Sequence, residues 1–442
     1  MTIPAYVTDC LDALEGAGYE AYLVGGCVRD MCLGQRPQDF DICTAAKPGE
    51  IQGVFPDKPL VLAGVKHGTV GVVTGEGVVE ITTFRTEGGY GDNRHPDWVD
   101  FVEDIDADLA RRDFTVNAMA YAPRRGFRDP FGGKADLEAG ILRAVGDPET
   151  RFREDALRIL RGFRFAVRFR LTLDGATWAA MVSQAPLMEH LARERVFDEL
   201  CKLLPLVNAR DLVQFHPILS AVIPELGPML GFDQHSPHHA YDLYTHTAHV
   251  VSGVPGDLTL RWAALLHDCG KIPCFTTDDT GRGHFYGHAK AGAEAAEAIL
   301  TGLRAPRELR ENAVTLIAEH MTRLEPDKRL LRRRLSKLGW EAMERLVLLQ
   351  EADMGSKGTQ EHDAQGYFSE IRRLLDEIRE EEACLKLRDL KISGNDLMAL
   401  GYEGRAIGAC LQEMLDCVLD EKLPNERNAL LAYARGRNRG ES

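Results

Sequence analysis

The sequence predicts an N-terminal domain of mixed α+β structure followed by domains that are entirely helical. In roughly the first 140 residues, short apolar runs such as Tyr22–Val24, Gly71–Val73 and Val78–Ile81 alternate with glycine and aspartate, which is typical of strands between helices. From about residue 148 the apolar residues recur at spacings of three and four, as in Leu157 and Leu160, and strand signals nearly vanish.

The composition predicts a soluble protein of several domains. The 442 residues include 53 Lys and Arg against 68 Asp and Glu, a net charge of −15, and 44% are hydrophobic. At about 150 residues per domain, this length allows about three domains. No run approaches the roughly 18 apolar residues of a membrane span, so we expect a cytoplasmic protein with no membrane contact. Because the chain is acidic, any nucleic-acid site must be a local basic patch.

A glycine turn after the first predicted strand marks a candidate phosphate site. Gly25 and Gly26 follow the apolar run that ends at Val24, and Arg29 comes three residues later. Backbone N–H groups at such a turn, where a helix begins, bind phosphate, and Arg29 adds positive charge. Taken alone, the pattern is more often an ordinary tight turn.

Three carboxylates further along the chain are candidate ligands of divalent metal ions. In a strand, Asp39 and Asp41 would lie on one face, about 7 Å apart. Glu80 lies in another predicted strand, on the face opposite to Val79 and Ile81, and could complete the site. Two-metal phosphoryl transfer needs such carboxylates, because one ion activates the attacking hydroxyl and the other stabilises the leaving oxygen.

Six motifs occur in an order that is typical of one enzyme family. They are Gly25-Gly26-x-Val28-Arg29-Asp30, Asp39-x-Asp41, the segment from Arg111 to Ala118, Asp129-Pro130, Glu154-Asp155-x-x-Arg158 and Glu194-Arg195. Over about residues 20–205 the chain resembles bacterial class II tRNA nucleotidyltransferases, which include CCA-adding enzymes and related poly(A) polymerases. The resemblance implies a head with the fold of the DNA polymerase beta group, followed by a helical neck.

The resemblance also implies an activity and the residues that perform it. The activity is template-independent addition of C, C and A to the 3′ end of tRNA, from CTP and ATP, with release of pyrophosphate. Asp39 and Asp41 would hold two Mg²⁺ ions, with Glu80 as a third carboxylate. The residues expected to bind the nucleotide are Gly25, Gly26, Arg29, Arg112, Asp155, Arg158, Arg161 and Arg164, the last four on one neck helix.

The neck motif predicts how the base is chosen. Asp155 and Arg158 are three residues apart and would share a helix face, which places an acceptor beside a donor. Cytosine and adenine each present an amino donor next to a ring-nitrogen acceptor, so both match this pair. Uracil and guanine present a carbonyl oxygen to the carboxylate, and each such buried mismatch costs about 1–3 kcal/mol. Residues 151–170 also contain seven arginines against two acids, which is a local basic patch.

A glycine-rich segment from Arg85 to Pro96 predicts a flexible loop. In the family, a loop at this position is associated with addition of the terminal A. Its presence favours full CCA addition or A addition over C addition alone. The head motifs do not separate CCA addition from A addition or poly(A) synthesis, and these alternatives stay open.

A second cluster of residues predicts a metal centre. Ten of the fourteen histidines lie between residues 216 and 320, and the candidate ligands are His246, His267, Asp268, His288, His320 and Asp353. Their order resembles the HD hydrolase superfamily, with two additional histidines. Imidazole and carboxylate ligands suit Mg²⁺ or a transition metal that activates water for phosphoester hydrolysis. An alternative main function is therefore a metal-dependent phosphohydrolase that acts on phosphate esters or RNA 3′ ends.

We expect four domains along the chain. They are a catalytic head (residues 1–145), a helical neck (146–208), an HD domain (209–362) and a helical tail (363–442). The tail is a candidate contact with the tRNA elbow, although structural packing is the favoured interpretation. The basic run Arg332-Arg333-Arg334 could belong to the same surface, and a solvated basic turn explains it equally well. A non-enzymatic RNA-binding protein is disfavoured because all the catalytic motif residues are present. The sequence does not predict the oligomeric state.

Overall fold

The computed structural model describes residues 3–88, 98–236, 240–358 and 364–438. The chain divides into two compact units, the first made of Met1–Val207 and Gln214–Gly227, the second of Asn208–Val213 and Pro228–Ser442. The predicted head and neck fall in the first unit, and most of the predicted HD domain and the tail fall in the second. The finer division into four domains stays a prediction.

A mixed sheet of seven strands forms the centre of the first unit. The strands of this unit are β1 (Ala21–Val24), β2 (Asp41–Thr44), β3 (Leu60–Val61), β4 (Thr69–Val73), β5 (Val78–Thr83), β6 (Arg85–Gly88), β7 (Trp98–Phe101), β8 (Ala120–Ala122), β9 (Gly126–Arg128), β10 (Ile141–Leu142) and β11 (Thr172–Leu173). The order in the sheet is β3-β4-β5-β2-β1-β8-β9, in which β2 and β5 are parallel and the other neighbours antiparallel.

Helices surround this sheet and continue beyond it. They are α1 (Ala5–Gly16), α2 (Gly26–Cys32), α3 (Pro48–Val54), α4 (Ile105–Ala110), α5 (Gly133–Glu138), α6 (Pro148–Glu154), α7 (Leu157–Phe169), α8 (Gly175–Gln184), α9 (Arg193–Leu203) and α11 (His216–Val222). Helix α10 (Ala209–Gln214) belongs to the second unit except for its last residue. The sheet and α4 share an apolar cluster that includes Tyr22, Val24, Phe84 and Leu109. The predicted α+β head is therefore confirmed.

The neck helix α7 packs closely on the head. Leu160, Phe163 and Val167 are buried, as their helical spacing predicts. A Cβ atom at Gly162 would lie only 2.9 Å from the Phe114 ring, so this mid-helix glycine allows the close approach. Helix α7 therefore packs directly against the segment of the head that carries Phe114.

The predicted flexible loop is only partly described, and its first residues are not a loop. Residues 85–88 form β6, which pairs antiparallel with β7, so that Arg85 faces Phe101 and Gly88 faces Trp98. This pairing satisfies backbone N–H and C=O groups that a loop would leave to water. The rest of the predicted loop, residues 89–96, lies outside the described residues.

The second unit is helical, as predicted. Its main elements are α12 (Leu243–Gly253), α13 (Leu258–Leu266), the short strands β12 (Thr276–Thr277) and β13 (Gly283–His284), α14 (His288–Gly302), α15 (Arg307–Glu319), α16 (Lys328–Leu338), α17 (Trp340–Gly355), α18 (Ala364–Glu380), α19 (Gly394–Met398), α20 (Arg405–Leu419) and α21 (Arg427–Asn438). Helix α13 is apolar and buried on all sides, and it contacts α12, α15 and α17. Within the described ranges, no helix has the length and apolar character of a membrane span.

The basic run on α16 is engaged within the second unit. Arg332 pairs with Glu381 at 2.6 Å and also contacts Glu421, Arg333 pairs with Asp420 at 2.6 Å, and Arg334 pairs with Glu319 at 3.1 Å. These carboxylates offset the positive charge that a phosphate backbone would need. The run thus lies on a helix rather than in a solvated turn, and its ion pairs favour packing within this unit over an RNA contact.

Candidate active site and metal centre

The turn between β1 and α2 has a conformation that requires glycine. Gly25 has φ 72° and ψ −130°, a region that other residues rarely adopt, and its N–H donates to the Met119 carbonyl at 3.2 Å. A Cβ atom at Gly25 would lie 2.9 Å from Nη1 of Arg112. The absence of a side chain thus lets the Arg112 guanidinium approach the backbone at the start of α2.

Arg29 on α2 is held rigidly below this turn. It is buried, donates from Nε and Nη2 to Asp30 Oδ1 at 2.9 and 2.7 Å, and donates from Nη1 to Asn117 Oδ1 at 2.5 Å. Its guanidinium carbon lies 4.2 Å from the centre of the Phe169 ring. A cation that is ordered in this way is preorganised for an anionic ligand.

A chain of hydrogen bonds links Arg29 to the neck. Asn117 donates from Nδ2 to Asp113 Oδ1 at 3.0 Å, and Arg161 donates from Nε and Nη2 to Asp113 Oδ2 at 2.9 and 2.8 Å. Although burial raises the pKa of Asp113, the nearby Arg161 and the Asn117 bond lower it to about 2. The carboxylate is therefore ionised at neutral pH, and it connects two arginines of the predicted nucleotide site.

Two of the three candidate metal ligands are neighbours on inner strands of the sheet. Asp41 begins β2 and stands directly beside Glu80 of the parallel strand β5, and both side chains are exposed. Asp39 is exposed too, but it precedes the strand. The predicted strand alternation of Asp39 and Asp41 is therefore wrong, because the segment after Pro37, which lacks a backbone N–H, joins the sheet only at Asp41.

The charge balance at these carboxylates suits a cation. The pKa of Asp41 is raised, first because surrounding protein displaces water from its carboxylate, and then because Glu80 and Asp39 repel its charge, which Arg112 only partly offsets. Although Asp41 is exposed by surface area, its carboxylate is thus partly desolvated. A divalent cation would remove this repulsion, so the charge at Asp41 and Glu80 fits the metal that the motif implies.

The predicted placement of Asp155 on the neck helix is wrong. Asp155 has φ −145° and ψ 102°, which ends α6, and its Oδ1 accepts the Leu157 N–H at 3.0 Å at the start of α7. Its Oδ2 accepts from Arg195 Nη2 at 2.9 Å. Asp155 therefore lies in the interruption between α6 and α7, and its side chain binds the first N–H of the helix that carries Arg158.

Arg158 is buried at the start of α7, where it connects neck and head. Nη1 donates to Glu154 Oε2 at 2.6 Å and to the Arg151 carbonyl at 3.0 Å, and Nη2 donates to the Arg111 carbonyl at 3.1 Å. The described residues thus use three of its N–H donors, and a guanidinium has about five. Two donors remain for a ligand.

Arg164 does not reach this site. Its Nε donates to Glu199 Oε2 on α9 at 2.7 Å, and both side chains are buried. A buried guanidinium needs such a partner to offset the loss of hydration. The prediction that Arg164 binds the nucleotide is therefore not supported by its position, which instead joins two neck helices.

Most of the predicted site residues line one cleft of about 470 Å³. Its walls are formed by Gly25, Gly26, Arg29, Asp41, Arg111, Arg112, Asp113, Asn117, Asp155, Leu157, Arg158, Arg161, Phe165 and Arg195. Six arginines against three aspartates make the cleft electropositive, as a triphosphate site must be. The sequence analysis did not assign Arg111, Asp113, Asn117, Leu157, Phe165 or Arg195, although Arg111, Asp113, Asn117 and Arg195 stand inside its motifs.

Comparison with known proteins gives the family. Three family models match, the Poly A polymerase head domain at residues 21–143, the probable RNA and SrmB-binding site of polymerase A at 170–216, and the HD domain at 244–354. The CCA-adding enzyme of Levilactobacillus brevis is 35% identical over 96% of this chain and 95% of its own length. This chain belongs to the CCA-adding enzymes. The corresponding enzyme of Bacillus velezensis is 32% identical, over 95% and 94% of the two chains.

Solved structures agree with this CCA-adding family. The Bacillus stearothermophilus CCA-adding enzyme in complex with CTP aligns with a TM-score of 0.71 and 27% identity, over 100% of this chain and 99% of that one. The Thermotoga maritima CCA-adding enzyme complexed with tRNA has the same fold, with a TM-score of 0.64 and 20% identity, over 98% and 95% of the two chains. The predicted nucleotidyltransferase fold and family are confirmed, and membership implies a divalent metal.

The HD segment of this CCA-adding enzyme forms a buried histidine cluster around Asp268. The Nε2 atoms of His246, His267, His288 and His320 lie 3.7, 3.2, 3.7 and 3.9 Å from its carboxylate oxygens. Asp353, the sixth predicted ligand, lies 3.0 Å from His246 Nε2. The structure therefore brings all six predicted residues together. Lys271, which the sequence analysis did not assign, donates to Asp268 at 2.8 Å and to Gln234 at 2.9 Å.

The backbone orients each histidine toward this centre. The Nδ1 atoms of His267, His288 and His320 lie 2.8, 2.7 and 2.6 Å from carbonyl oxygens three residues earlier, and His246 Nδ1 lies 3.2 Å from the Ser356 carbonyl. Such contacts fix the tautomer and leave Nε2 as the ligand atom, which is usual for metal-binding histidines. Nε2 of His267, His288 and His320 is buried with no hydrogen-bond partner among the described residues. A metal ion fits these atoms.

Proposed function

We propose that this CCA-adding enzyme adds C, C and A to the 3′ end of tRNA, using CTP and ATP with Mg²⁺. The observation that carries the proposal is the single cleft that joins the Gly25 turn, Asp41 and the neck pair Asp155 and Arg158. In this proposal the cleft combines a phosphate site, a metal ligand and base-recognition groups. The chain is also similar over nearly its whole length to CCA-adding enzymes.

In the proposed reaction, the RNA 3′-hydroxyl attacks the α-phosphorus in line, and pyrophosphate leaves. Asp39, Asp41 and Glu80 would hold Mg²⁺, which lowers the pKa of the hydroxyl and stabilises the leaving oxygen. Arg29 and Arg112 would neutralise the triphosphate. Preorganised cations of this kind stabilise the charge that develops during transfer.

Base selection would rest on the neck. The Asp155 carboxylate accepts from the base amino group, and an unused donor of Arg158 reaches the adjacent ring nitrogen. Because Arg195 and the Leu157 N–H hold Asp155 in place, the acceptor cannot turn to suit uracil or guanine. Selection of CTP and ATP then needs no nucleic-acid template.

The test is primer extension on a tRNA transcript that ends at the discriminator base, with Mg²⁺ and with CTP alone, ATP alone or both. We expect two added residues with CTP and a third only when ATP is also present. One A added only to a transcript that ends in CC would indicate an A-adding enzyme instead. A ladder with ATP alone would indicate a poly(A) polymerase.

The Gly25 turn makes a specific prediction. In the Gly25→Ala variant, we expect the rate of C addition to fall about tenfold or more, because backbone strain of about 1–3 kcal/mol adds to displacement of Arg112. Gly34→Ala is the matched control, since Gly34 has a similar φ of 70° but no atom within 4 Å of the position that a Cβ would take. Equal rates in the two variants would contradict the role of the turn.

A second candidate function is metal-dependent phosphoester hydrolysis by the HD centre, on phosphate esters or RNA 3′ ends. It is favoured by the histidines that converge on Asp268. With a transition metal supplied, His267→Ala should abolish release of phosphate from a generic phosphomonoester and spare CCA addition. Asp41→Ala should do the opposite. Phosphate release that survives in His267→Ala would exclude this centre as its source.

A further inference from the structure

A buried carboxylate close to the cleft has no part in the reaction proposed above. Asp108 lies on α4, its side chain is fully buried, and it is not among the residues that line the cleft. A charge in such a position must be offset by nearby cations and hydrogen-bond donors. The partners of Asp108 therefore show which groups it holds in place.

Both oxygens of Asp108 accept hydrogen bonds from arginines of the cleft. Oδ1 accepts from Arg111 Nε at 3.0 Å and Nη2 at 2.8 Å, and Oδ2 accepts from Arg112 Nη2 at 3.1 Å. Oδ1 also accepts the backbone N–H of Arg85 at 3.3 Å, where β6 begins. Although burial raises the pKa of Asp108, the charges of Arg112 and Arg111 lower it below its ordinary value. The acid is therefore ionised at neutral pH.

The local sequence explains how one acid reaches two arginines. Arg111 and Arg112 follow Asp108 by three and four residues, across the end of α4. Side chains at these two spacings share one face of a helix, and an acid that precedes an arginine is the favourable order. The pattern Asp-x-x-Arg-Arg thus brings both guanidinium groups to the same carboxylate.

The Arg112 guanidinium is held at one end and faces the cleft with the other. Its Nη2 atom contacts Asp108 and, at 3.4 Å, the Cys43 sulfur. Burial, and then the charge of Asp108, raise the pKa of Cys43 to about 12, so the thiol is neutral and Asp108 supplies the charge. No described residue accepts a hydrogen bond from Nη1, which lies 2.9 Å from the position that a Cβ of Gly25 would take. Nη1 therefore faces the turn where the triphosphate is proposed to bind.

We propose that Asp108 is a positioning residue for nucleotide binding. Arg111 fixes the carboxylate by two hydrogen bonds to Oδ1, and Oδ2 then holds Nη2 of Arg112, which keeps Nη1 directed to the Gly25 turn. The inference rests on the proposed function, because that function assigns Arg112 to the triphosphate. An amide has a single acceptor oxygen, so Asp108→Asn keeps the shape of the side chain but cannot accept from the two arginines with two atoms.

The test is equilibrium binding of CTP to the full-length chain with Mg²⁺, measured by isothermal titration calorimetry. In Asp108→Asn we expect the Kd for CTP to rise about tenfold, which corresponds to about 1.4 kcal/mol, and the Kd for a tRNA transcript to stay unchanged. Asp106→Asn is the matched control, because this acid of the same helix pairs at 2.8 Å with Arg128, which does not line the cleft. An unchanged Kd for CTP in folded Asp108→Asn would overturn the inference alone. A wild-type chain that does not bind CTP would overturn the proposed function as well.

A double variant shows whether Asp108 acts through Arg112. If it does, the two effects are not additive, and Asp108→Asn should weaken CTP binding no further in the Arg112→Ala background. An equal loss in both backgrounds would overturn the proposal. Arg112→Lys decides the question if Asp108→Asn does not fold, because a lysine keeps the buried acid paired but has no second nitrogen to reach the Gly25 turn. We expect this variant to lose CTP affinity, and wild-type affinity would contradict the role of Asp108.

Discussion

Replacement of Asp41 by alanine is expected to abolish CCA addition and leave the fold intact. Asp41 is the one candidate metal ligand that both begins a strand of the central sheet and lines the nucleotide cleft. Without it, Glu80 and Asp39 would have to hold the metal alone. Loss of several kcal/mol of transition-state stabilisation corresponds to a decrease in the transfer rate of about a thousandfold or more.

Single-turnover extension of tRNA by CTP measures this effect. The thermal midpoint of Asp41→Ala should not fall below that of the wild type. The pKa of Asp41 is raised in the folded protein, so the charged carboxylate that exists at neutral pH destabilises the folded state, and alanine removes that charge. Asp57→Ala is the control, since Asp57 is exposed in the same unit and is not among the residues that line the cleft. Extension by Asp41→Ala at the wild-type rate would show that the metal assignment is wrong.

Replacement of Arg158 by alanine is expected to admit UTP or GTP. The variant loses the donor that reads the ring nitrogen, and each unsatisfied or mismatched polar contact is worth about 1–3 kcal/mol. The ratio of correct to incorrect nucleotide addition should therefore fall about 10- to 100-fold. The measurement is the rate of addition of each of the four nucleotides, taken singly, to the same tRNA.

Two further variants separate recognition from packing in this experiment. Arg158→Lys keeps the charge beside Glu154 but lacks the planar fork, so it should fold normally and still lose selectivity. Arg168→Ala removes an exposed arginine from the same helix and should leave selectivity unchanged. If Arg158→Ala discriminates between nucleotides as the wild type does, Arg158 does not select the base, and other groups of the cleft, such as Arg195, must do so.

The neck shows where prediction from sequence failed. Helical spacing placed Asp155 and Arg158 on one helix face, but the helix is interrupted at Asp155, between α6 and α7. Both residues still line the cleft. The family resemblance assigned Arg164 to the nucleotide as well. Its partner Glu199 is 35 residues away, and no local pattern shows which arginine that carboxylate engages.

Features that depend on short-range order can be read directly from the amino-acid sequence. Four of these features are local properties of the chain: the strand before Gly25, the need for glycine at that position, the alternation that exposes Glu80, and the order of the motifs. The same is true of the histidine rings, since His267, His288 and His320 are each oriented by a carbonyl three residues earlier.

Which charged groups meet depends instead on the packing of distant elements. Asp41 and Glu80 become neighbours because two strands pair in parallel, and Asn117 connects Arg29 to Asp113 across the head. Likewise, Asp268 is approached by histidines that come from α12, α14 and the end of α15. Because a buried charge must be paired, packing determines which of many arginines and acids remain available for ligands.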